Sequence, residues 1–334
     1  MRTRLCDVLG IDVPIICAPF GPWDSVDLAA AVCAAGGLGS LGTAVRPVPE
    51  LQEQWRRLRR RTDRPYAINH VPRPFDEAAF AATLVHRPAA ISYHMGDPGD
   101  LVDRAHDVDV RWIQQVMDVD QARQALDRGA DVIVAQGGEA GGHSGFVSTM
   151  ALVPQVVDVA GDTPVVAAGG ISDGRGLAAA LALGAQGVAM GTRFLASVEM
   201  RIDEGWKRML VAAASRDARH DELIDSLLPP YNRPHYPAVG RMLPTAFAKR
   251  WRSRPEELAA RAGELAPAVV SAVLAGGGQE YIPFAGQSVG LVDEVLPAAE
   301  IVRRTCAQAA ATLTELADAA STQRGRAHVG PASW

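Results

Sequence analysis

Residues 164–194 read PVVAAGGISDGRGLAAALALGAQGVAMGTRF and carry the clearest structural signal in the chain. The pattern predicts a buried strand over Pro164–Ala168, a helix over Asp173–Leu183 and a second strand over Gly187–Met190. Asp173 is suited to the N-cap of this helix, because its carboxylate can accept hydrogen bonds from the first free N–H groups. Strands that are apolar throughout and are joined by a helix are typical of a parallel sheet covered on both faces. The stretch therefore predicts a β-α-β unit with a right-handed crossover.

Six similar strand patterns precede this unit, and helical patterns separate them. Eight strands that alternate with helices indicate an α/β fold, and we expect a TIM-type (β/α)8 barrel with a mostly helical insertion after strand eight. A doubly wound open sheet remains the alternative, because the second and fourth strand patterns are weak. The six strands are predicted at Pro14–Ala18, Leu38–Leu41, Tyr66–Asn69, Ala89–His94, Arg111–Val116 and Ala130–Gln136, and the helices between them at Ser25–Ala35, Pro49–Arg61, Asp76–Val85, Gly99–His106 and Val119–Arg128.

The alternation of strands and helices ends near Glu199. Helices are expected at Asp203–Ser215, Pro255–Leu274 and Pro297–Leu316. Five prolines between residues 229 and 244 argue against a regular element between the first two, and the polar C-terminus predicts fraying. The predicted regions are the barrel (1–198), a helical insertion that caps it (199–278), a return to the barrel with a closing helix (279–320) and a disordered tail (321–334).

The composition excludes several classes of protein. A formal net charge of −5 argues against the basic surface that binds nucleic acid. The four cysteines show neither a C-x-x-C pair nor metal-ligand spacing, which is typical of reduced thiols in the cytosol. The N-terminus lacks a signal-peptide pattern, and no apolar run reaches the roughly 18 residues needed to cross a bilayer. We therefore expect a cytoplasmic protein without a metal site and without nucleic-acid or membrane partners.

A glycine-rich segment, Gln136–Gly145, follows the sixth strand and reads QGGEAGGHSG. Active sites of barrels lie at the C-terminal ends of the strands, so we expect this loop to contribute to one. Its glycines allow positive φ angles and a close approach of the backbone to a ligand. His143 can exchange a proton near neutral pH, which makes it the candidate catalytic acid or base. A flexible loop with an incidental surface histidine is the alternative interpretation.

Two further glycine loops follow the seventh and eighth strands. They read AAGGISDG at residues 167–174 and MGTRF at residues 190–194, and many barrels bind a phosphate between these two positions. Gly169 and Gly170 leave backbone N–H groups uncovered, while Gly191 and Thr192 add an amide and a hydroxyl. The loops together predict a phosphate site, and ordinary strand-to-helix turns are the alternative.

Three segments resemble the nitronate monooxygenase (2-nitropropane dioxygenase) family: PIICAPF at residues 14–20, AQGGEAGGHSG at 135–145 and the segment at 167–194. The related flavin-dependent enoyl-thioester reductases share much of this pattern, and FAGQSVG at 284–290 extends it. The resemblance implies a bound FMN, with His143 as the base or proton donor. The residues implied or expected to bind FMN are Ala18, Pro19, Phe20, Asn69, Gln115, Gln136, Gly141, Gly169, Gly170, Gly191 and Thr192.

The chain departs from the family pattern on the substrate side of the flavin. Ser144 stands where a basic residue is frequent in the family, and Phe20 where methionine or leucine is expected. His70 and His94 stand near strand ends, where a histidine either lines a pocket or packs behind it. We take His94 and Ser144 as the substrate-pocket candidates.

The resemblance implies oxidation of alkyl nitronates by O2 to a carbonyl compound and nitrite. His143 would deprotonate a neutral nitroalkane or hydrogen-bond the nitro group of a nitronate. Reduction of an enoyl thioester by NAD(P)H is the alternative, because it shares the cofactor and the motif. The expected partners are therefore a small-molecule substrate with either O2 or NAD(P)H, and a homodimer contact through the insertion stays open.

Two alternatives lie further from this chemistry. One is a barrel enzyme without flavin that binds a phosphorylated metabolite, such as a phosphosugar isomerase. The other is a flavin-binding or scaffold protein without catalytic activity. A mechanism of the inosine monophosphate dehydrogenase type is excluded, because it needs a nucleophilic cysteine and none occurs between Cys33 and Cys306.

Overall fold

The strands of the protein are seen in a computed structural model that describes residues 1–228 and 238–326. In chain order they are β1 (Ile15–Cys17), β2 (Gly39–Gly42), β3 (Tyr66–His70), β4 (Ala90–His94), β5 (Arg111–Val116), β6 (Val132–Gln136), β7 (Gly142–Ser144), β8 (Val165–Ala168), β9 (Gly187–Met190), β10 (Arg219–His220) and β11 (Val239–Met242). Eight of them form one parallel sheet in the order β1-β9-β8-β6-β5-β4-β3-β2.

The sheet closes on itself between its first and last strands. Ile16 of β1 bridges in parallel to Leu38, the residue before β2, and the Cys17 N–H donates to the Leu38 carbonyl at 2.9 Å. This closure excludes the open sheet and confirms the predicted TIM-type barrel. All eight predicted strands are present, including the weakly patterned second and fourth, because each pairs with strong neighbours on both sides.

Helices α2 to α8 lie between the barrel strands in the chain. Side chains of Ser25, Asp76, Asp118 and Asp173 accept hydrogen bonds from backbone N–H groups in the first turns of α2, α4, α6 and α8, which confirms Asp173 as an N-cap.

No helix within residues 1–228 and 238–326 has the length and hydropathy needed to cross a membrane. The helices are α1 (Arg4–Leu9), α2 (Val26–Ala34), α3 (Val48–Arg59), α4 (Glu77–His86), α5 (Leu101–His106), α6 (Val119–Asp127), α7 (Thr149–Ala160), α8 (Gly174–Ala182), α9 (Thr192–Leu195), α10 (Glu204–Ala212), α11 (Ala246–Trp251), α12 (Pro255–Ala260), α13 (Ala262–Leu274) and α14 (Ala298–Arg326), with 3₁₀ turns at Ser215–Asp217, Gly278–Glu280 and Gln287–Leu291.

Helix α1, which the sequence pattern does not predict, packs against the interior of the barrel. Its Leu5, Cys6 and Leu9 share one apolar cluster with inward-facing strand residues. A Cβ added to Gly187 would lie 2.6 Å from the Pro14 carbonyl oxygen and 2.5 Å from Leu5 Cδ2, so glycine is required where this helix meets β9. The contact keeps the opposite, C-terminal end of the barrel for the loops that follow the strands.

Helix α14 extends beyond its predicted end at Leu316 and continues to Arg326. The expectation of a disordered tail from residue 321 is therefore wrong for residues 321–326, while 327–334 lie outside the described residues. The helix packs closely on α8, because a Cβ at Gly174 would lie 2.4 Å from the Ala309 nitrogen.

The segment at 199–278 contains strands as well as helices. The expectation of no regular element between its helices is wrong for Val239–Met242 and Ala246–Trp251, which form β11 and α11. Strand β11 forms because it pairs antiparallel with β10 and with β7, a tertiary contact that local sequence does not show. The predicted helix Pro255–Leu274 is divided at Arg261 into α12 and α13. Four of the five prolines lie outside the described residues, and the division of the chain into domains remains a prediction.

Candidate functional site

A cavity of about 450 Å³ lies at the C-terminal ends of the barrel strands. Its volume falls within the roughly 300–1,000 Å³ of small-molecule and cofactor sites. The structure brings thirteen of the fourteen sequence-predicted site residues together on its wall, and Ser144 is the exception. Those lining the cavity are Ala18, Pro19, Phe20, Asn69, His94, Gln115, Gln136, Gly141, His143, Gly169, Gly170, Gly191 and Thr192.

Ser144 faces away from the cavity, which corrects its assignment to the substrate pocket. Its buried hydroxyl lies 3.5 Å from the Gly138 carbonyl and 3.2 Å from His220 Nε2. The physical reason is that Gly142–Ser144 forms strand β7. Successive side chains of a strand point to opposite sides, so only one of His143 and Ser144 can face the cavity.

The glycine-rich loop is fixed by contacts at both ends. The Glu139 carboxylate accepts hydrogen bonds from the backbone N–H and the hydroxyl of Thr149, both at 2.9 Å, and so ties the loop to the start of α7. A Cβ on Gly141 would lie 2.6 Å from the Gly286 nitrogen, so the loop backbone touches the FAGQSVG segment directly. The loop is therefore held in place rather than flexible, and His143 has a defined position on it.

His143 is paired with a carboxylate that the sequence did not reveal. Its Nε2 lies 2.8 Å from Asp225 Oδ1, and the two side chains are only 9% and 11% exposed. The second oxygen, Oδ2, accepts a hydrogen bond from the Gly240 N–H at 3.1 Å, and Gly240 is the residue opposite His143 in the β7–β11 pair. Asp225 lies in a turn at residues 223–227 with no motif around it, so no sequence signal could have linked it to His143.

Arg241 of β11 also stabilises the glycine-rich loop. Its guanidinium donates to the Gly138 carbonyl at 2.7 Å and to the Ala218 carbonyl at 2.8 Å. Burial lowers the pKa of this guanidinium, but an arginine remains charged in proteins. Arg241 thus fastens the glycine loop to the strand pair that carries Asp225 and His143.

Three polar side chains form a chain along the barrel end. The Gln115 amide donates to His94 Nδ1 at 2.8 Å and to Gln136 Oε1 at 2.9 Å. Burial lowers the pKa of His94 to about 4, with a smaller contribution in the same direction from His143. His94 is therefore neutral at pH 7 and accepts at Nδ1, which leaves its Nε2 as the protonated nitrogen.

His70 does not line the cavity but packs beside it. The Thr43 hydroxyl lies 3.3 Å from its Nδ1 and the Thr83 hydroxyl 3.0 Å from its Nε2, while the Phe80 ring meets it edge-on at 5.3 Å. Burial lowers the pKa of His70 to about 4 as well. Like His94, it is a neutral buried histidine at pH 7.

Because the pKa values of His70 and His94 are both lowered in the folded state, we expect the protein to lose stability in mild acid. In the unfolded chain each histidine takes up a proton near pH 6.5, whereas the folded state resists protonation down to about pH 4. Between these two pH values the unfolded state therefore binds more protons than the folded state. The contribution of these histidines to the free energy of unfolding is largest above pH 6.5 and decreases as the pH drops towards 4. Urea unfolding at pH 7, 5.5 and 4.5 measures this, and His70→Asn is expected to flatten the slope. A slope unchanged by the substitution would contradict the assignment.

The residues around Gly169 and Gly191 fit a phosphate group. Gly169 and Gly170 have φ angles of +98° and +73°, values that side chains rarely adopt. A Cβ at Gly191 would project beside Ala18 and Phe20, at 3.6 and 3.9 Å. The Thr192 hydroxyl accepts from the Gly286 N–H at 2.9 Å, which leaves its own hydrogen available to an anion. No lysine or arginine lines the described part of the cavity wall, so N–H groups and hydroxyls would hold the phosphate.

An aromatic cluster on the cavity wall was also missed from the sequence. Trp23 and Trp206 meet edge-to-face with centroids 5.0 Å apart, and Phe284 lies 5.7 Å from the His143 ring. Trp23 follows β1 at the C-terminal end of the barrel strands, so its position in the sequence could have indicated a place on the cavity wall. Trp206 lies on α10, far from any motif, and could not have been predicted. Both indole N–H groups are buried with no acceptor among the described residues.

The family of the chain follows from comparison with known proteins. The family model described as nitronate monooxygenase matches residues 2–83 and 71–308, well over half of the chain. The chain belongs to the nitronate monooxygenase family. It is therefore an oxidoreductase of this family of flavin-dependent enzymes, and the resemblance inferred from its motifs is confirmed.

Individual relatives carry names of two kinds. A nitronate monooxygenase of Pseudomonas aeruginosa is 32% identical over 370 residues, covering 91% of this chain and 98% of the relative. The (3aS,4S,5R,7aS)-5-hydroxy-7a-methyl-1-oxo-octahydro-1H-indene-4-carboxyl-CoA dehydrogenase of Rhodococcus jostii is 35% identical over 228 residues, covering 68% of this chain and 64% of the relative, less than two thirds of its length. Among solved structures, FabK from Thermotoga maritima matches with a TM-score of 0.85 at 33% identity, covering 95% of this chain and 99% of that chain.

Proposed function

We propose that the protein oxidises alkyl nitronates with O2 to a carbonyl compound and nitrite, with FMN as its cofactor. The observation that carries this proposal is the buried His143–Asp225 pair, at 2.8 Å, on the wall of a cavity bounded by phosphate-suited glycine loops. Two nitronate anions and one O2 contain the atoms and charge of two carbonyl compounds and two nitrite ions. The overall reaction therefore needs no external reductant.

FMN is the flavin proposed for this cavity. Bound FMN would supply the one-electron and O2 chemistry that amino-acid side chains lack. The residues proposed to hold its phosphate are Gly169, Gly170, Gly191 and Thr192, and the others proposed to contact FMN are Ala18, Pro19, Phe20, Asn69, Gln115, Gln136 and Gly141.

His143 is the residue proposed to move a proton. A neutral nitroalkane must lose its α-proton to become a nitronate, and a neutral imidazole can accept that proton. Asp225 acts as a positioning residue, because its carboxylate orients the ring and stabilises the imidazolium that forms.

Asp225→Asn is expected to lower kcat/KM for nitroalkanes about ten- to a hundredfold, because the amide keeps a hydrogen-bond acceptor but removes the charge. The loss on a preformed nitronate should be much smaller, since no proton has to be removed from that substrate. Steady-state kinetics with both substrates measure the difference, and Asp225→Glu should restore part of the activity on the nitroalkane. An equal loss on both substrates would indicate a merely structural role.

The proposed reaction is tested by an anaerobic absorbance titration of the purified protein. Reduction of its flavin by an alkyl nitronate, followed by nitrite release when O2 is admitted, is the expected result. Reduction by NADPH and not by nitronate would contradict the proposal. A colourless protein that cannot be reconstituted with FMN would overturn the cofactor assignment.

Reduction or oxidation of a CoA-type thioester is the second candidate function. The observation that favours it is the likeness to the Rhodococcus CoA dehydrogenase. In an NAD(P)H-dependent reduction of an enoyl thioester, His143 would donate rather than accept the proton. Rapid NADPH oxidation that depends on an enoyl thioester would favour this candidate. The cytoplasmic location and a homodimer remain predictions in either case.

A further inference from the structure

The wall of the cavity changes character away from the barrel. Around the strand ends, the polar side chains Asn69, Gln115 and Gln136 lie among apolar strand residues. The opposite side comes from residues 206–228 and from α13, and apart from Asp225 its described residues are apolar. The residues of this apolar side that carry the argument are Trp206, Ile224, Leu228, Val270, Val273 and Leu274.

Three of the cavity-lining side chains are also exposed to solvent. Val45, Val270 and Leu274 are 66%, 40% and 55% exposed, and all three line the cavity. Single exposed apolar residues on a surface need no explanation, but several that converge on one opening mark a ligand-binding groove. Among residues 1–228 and 238–326, the cavity therefore opens to solvent through an apolar mouth, defined here by Val45, Val270 and Leu274.

Val45 is held at this mouth in an unfavourable backbone conformation. Its φ is +56°, in the left-handed region that β-branched residues rarely adopt. The next residue anchors it: the Arg46 guanidinium donates to the Pro22 carbonyl and lies 3.8 Å from the buried Asp24 carboxylate. These contacts of Arg46 fix Val45 at the mouth despite its backbone strain.

We propose that the mouth binds an extended hydrocarbon portion of the substrate. The reacting group lies near His143, the chain runs along Trp206 and α13, and its far end leaves between Val45 and Leu274. The substrate class is then a long-chain or alicyclic compound rather than a nitroalkane of one or two carbons. The reaction on that compound rests on the proposed function, whereas binding of the hydrocarbon does not.

The first test is a chain-length series with the flavin-loaded protein. Nitronates of 1-nitroalkanes from two to eight carbons are expected to show kcat/KM rising about two- to fourfold per methylene, because each added group is transferred from water to an apolar wall. A flat or falling series would overturn the inference.

The second test compares two leucines with matched exposure. Leu274→Ser should lower the ratio of kcat/KM for the eight-carbon and two-carbon nitronates about three- to tenfold. Leu316, 58% exposed on α14 and not on the cavity wall, provides the control, because Leu316→Ser makes the same change elsewhere and should keep the ratio. An unchanged ratio in Leu274→Ser would contradict the proposed path.

A binding measurement separates this inference from the reaction. Dissociation constants of 1-alkanols from four to ten carbons can be read from tryptophan fluorescence, since Trp23 and Trp206 line the cavity. Affinity that rises with chain length in the wild type, and less steeply in Leu274→Ser, supports the mouth even if no nitronate is oxidised. The protein could instead oxidise nitronates while neither turnover nor alkanol binding depends on chain length. That result would support the proposed reaction and contradict the proposed hydrocarbon-binding mouth.

Discussion

His143→Asn is expected to lower kcat/KM for a neutral nitroalkane about 10²- to 10⁴-fold, while the purified protein keeps its flavin. This range is the usual contribution of a positioned general base. Asparagine can still hydrogen-bond the Asp225 carboxylate, 2.8 Å from the His143 ring in the wild type, but it cannot accept a proton. Oxygen consumption with nitroethane measures the loss.

The same variant should retain most of its activity on a preformed nitronate. The proton has already left that substrate, so we expect a decrease of no more than about tenfold. His106→Asn is a suitable control, because His106 lies on α5 outside the cavity. Wild-type activity on the nitroalkane in a flavin-loaded His143→Asn protein would rule out His143 as the base.

Gly169→Ala is expected to weaken FMN binding about ten- to a hundredfold. The added Cβ would lie 2.9 Å from the Gly137 carbonyl and 3.0 Å from the Thr149 hydroxyl, at a φ of +98°. Relief of this strain moves the loop away from the phosphate, and binding must then restore about 1–3 kcal/mol of strain, where each 1.4 kcal/mol is tenfold in affinity. Titration of the apoprotein with FMN, followed by fluorescence quenching, measures the change.

Gly276→Ala separates the effect of the clash from that of the backbone angle. Gly276 has a φ of +93°, but a Cβ there would meet nothing within 4 Å. Both variants therefore carry similar backbone strain, and only Gly169→Ala disturbs the proposed phosphate site. Equal FMN affinity in the two proteins would argue against a phosphate at Gly169.

The barrel could be predicted from the sequence because its strands are buried on both faces and appear as continuous apolar runs. The helices with an aspartate or serine N-cap were equally visible, as Asp173 shows. Helix α1 was not, because its six residues are too short for a clear period and are stabilised by contact with the barrel interior. Strand β11 was hidden for a related reason, since its partner is a glycine loop that reads locally as flexible.

Site residues that belong to a single glycine-rich loop could be predicted from the sequence. Those that meet from two distant segments of the chain could not. Gly169, Gly191 and His143 belong to recognisable loops at strand ends, and all three line the cavity. Asp225 is separated from His143 by 82 residues, and only the folded chain brings their carboxylate and ring together. Ser144 was misplaced because a loop does not fix which way neighbouring side chains point, whereas strand β7 does.

The pairing of β7 with β11 brings the proposed proton-transfer residue next to the segment proposed to select the substrate. Strand β11 holds Gly240 opposite His143, and the same stretch of chain, residues 206–274, supplies Asp225 and the apolar cavity wall. A chimera that exchanges this stretch between family members would therefore replace the carboxylate partner of His143 together with the apolar wall proposed to bind the substrate. If recombination changes substrate specificity in this family, we expect the whole segment to be exchanged while the barrel and its glycine loops are retained.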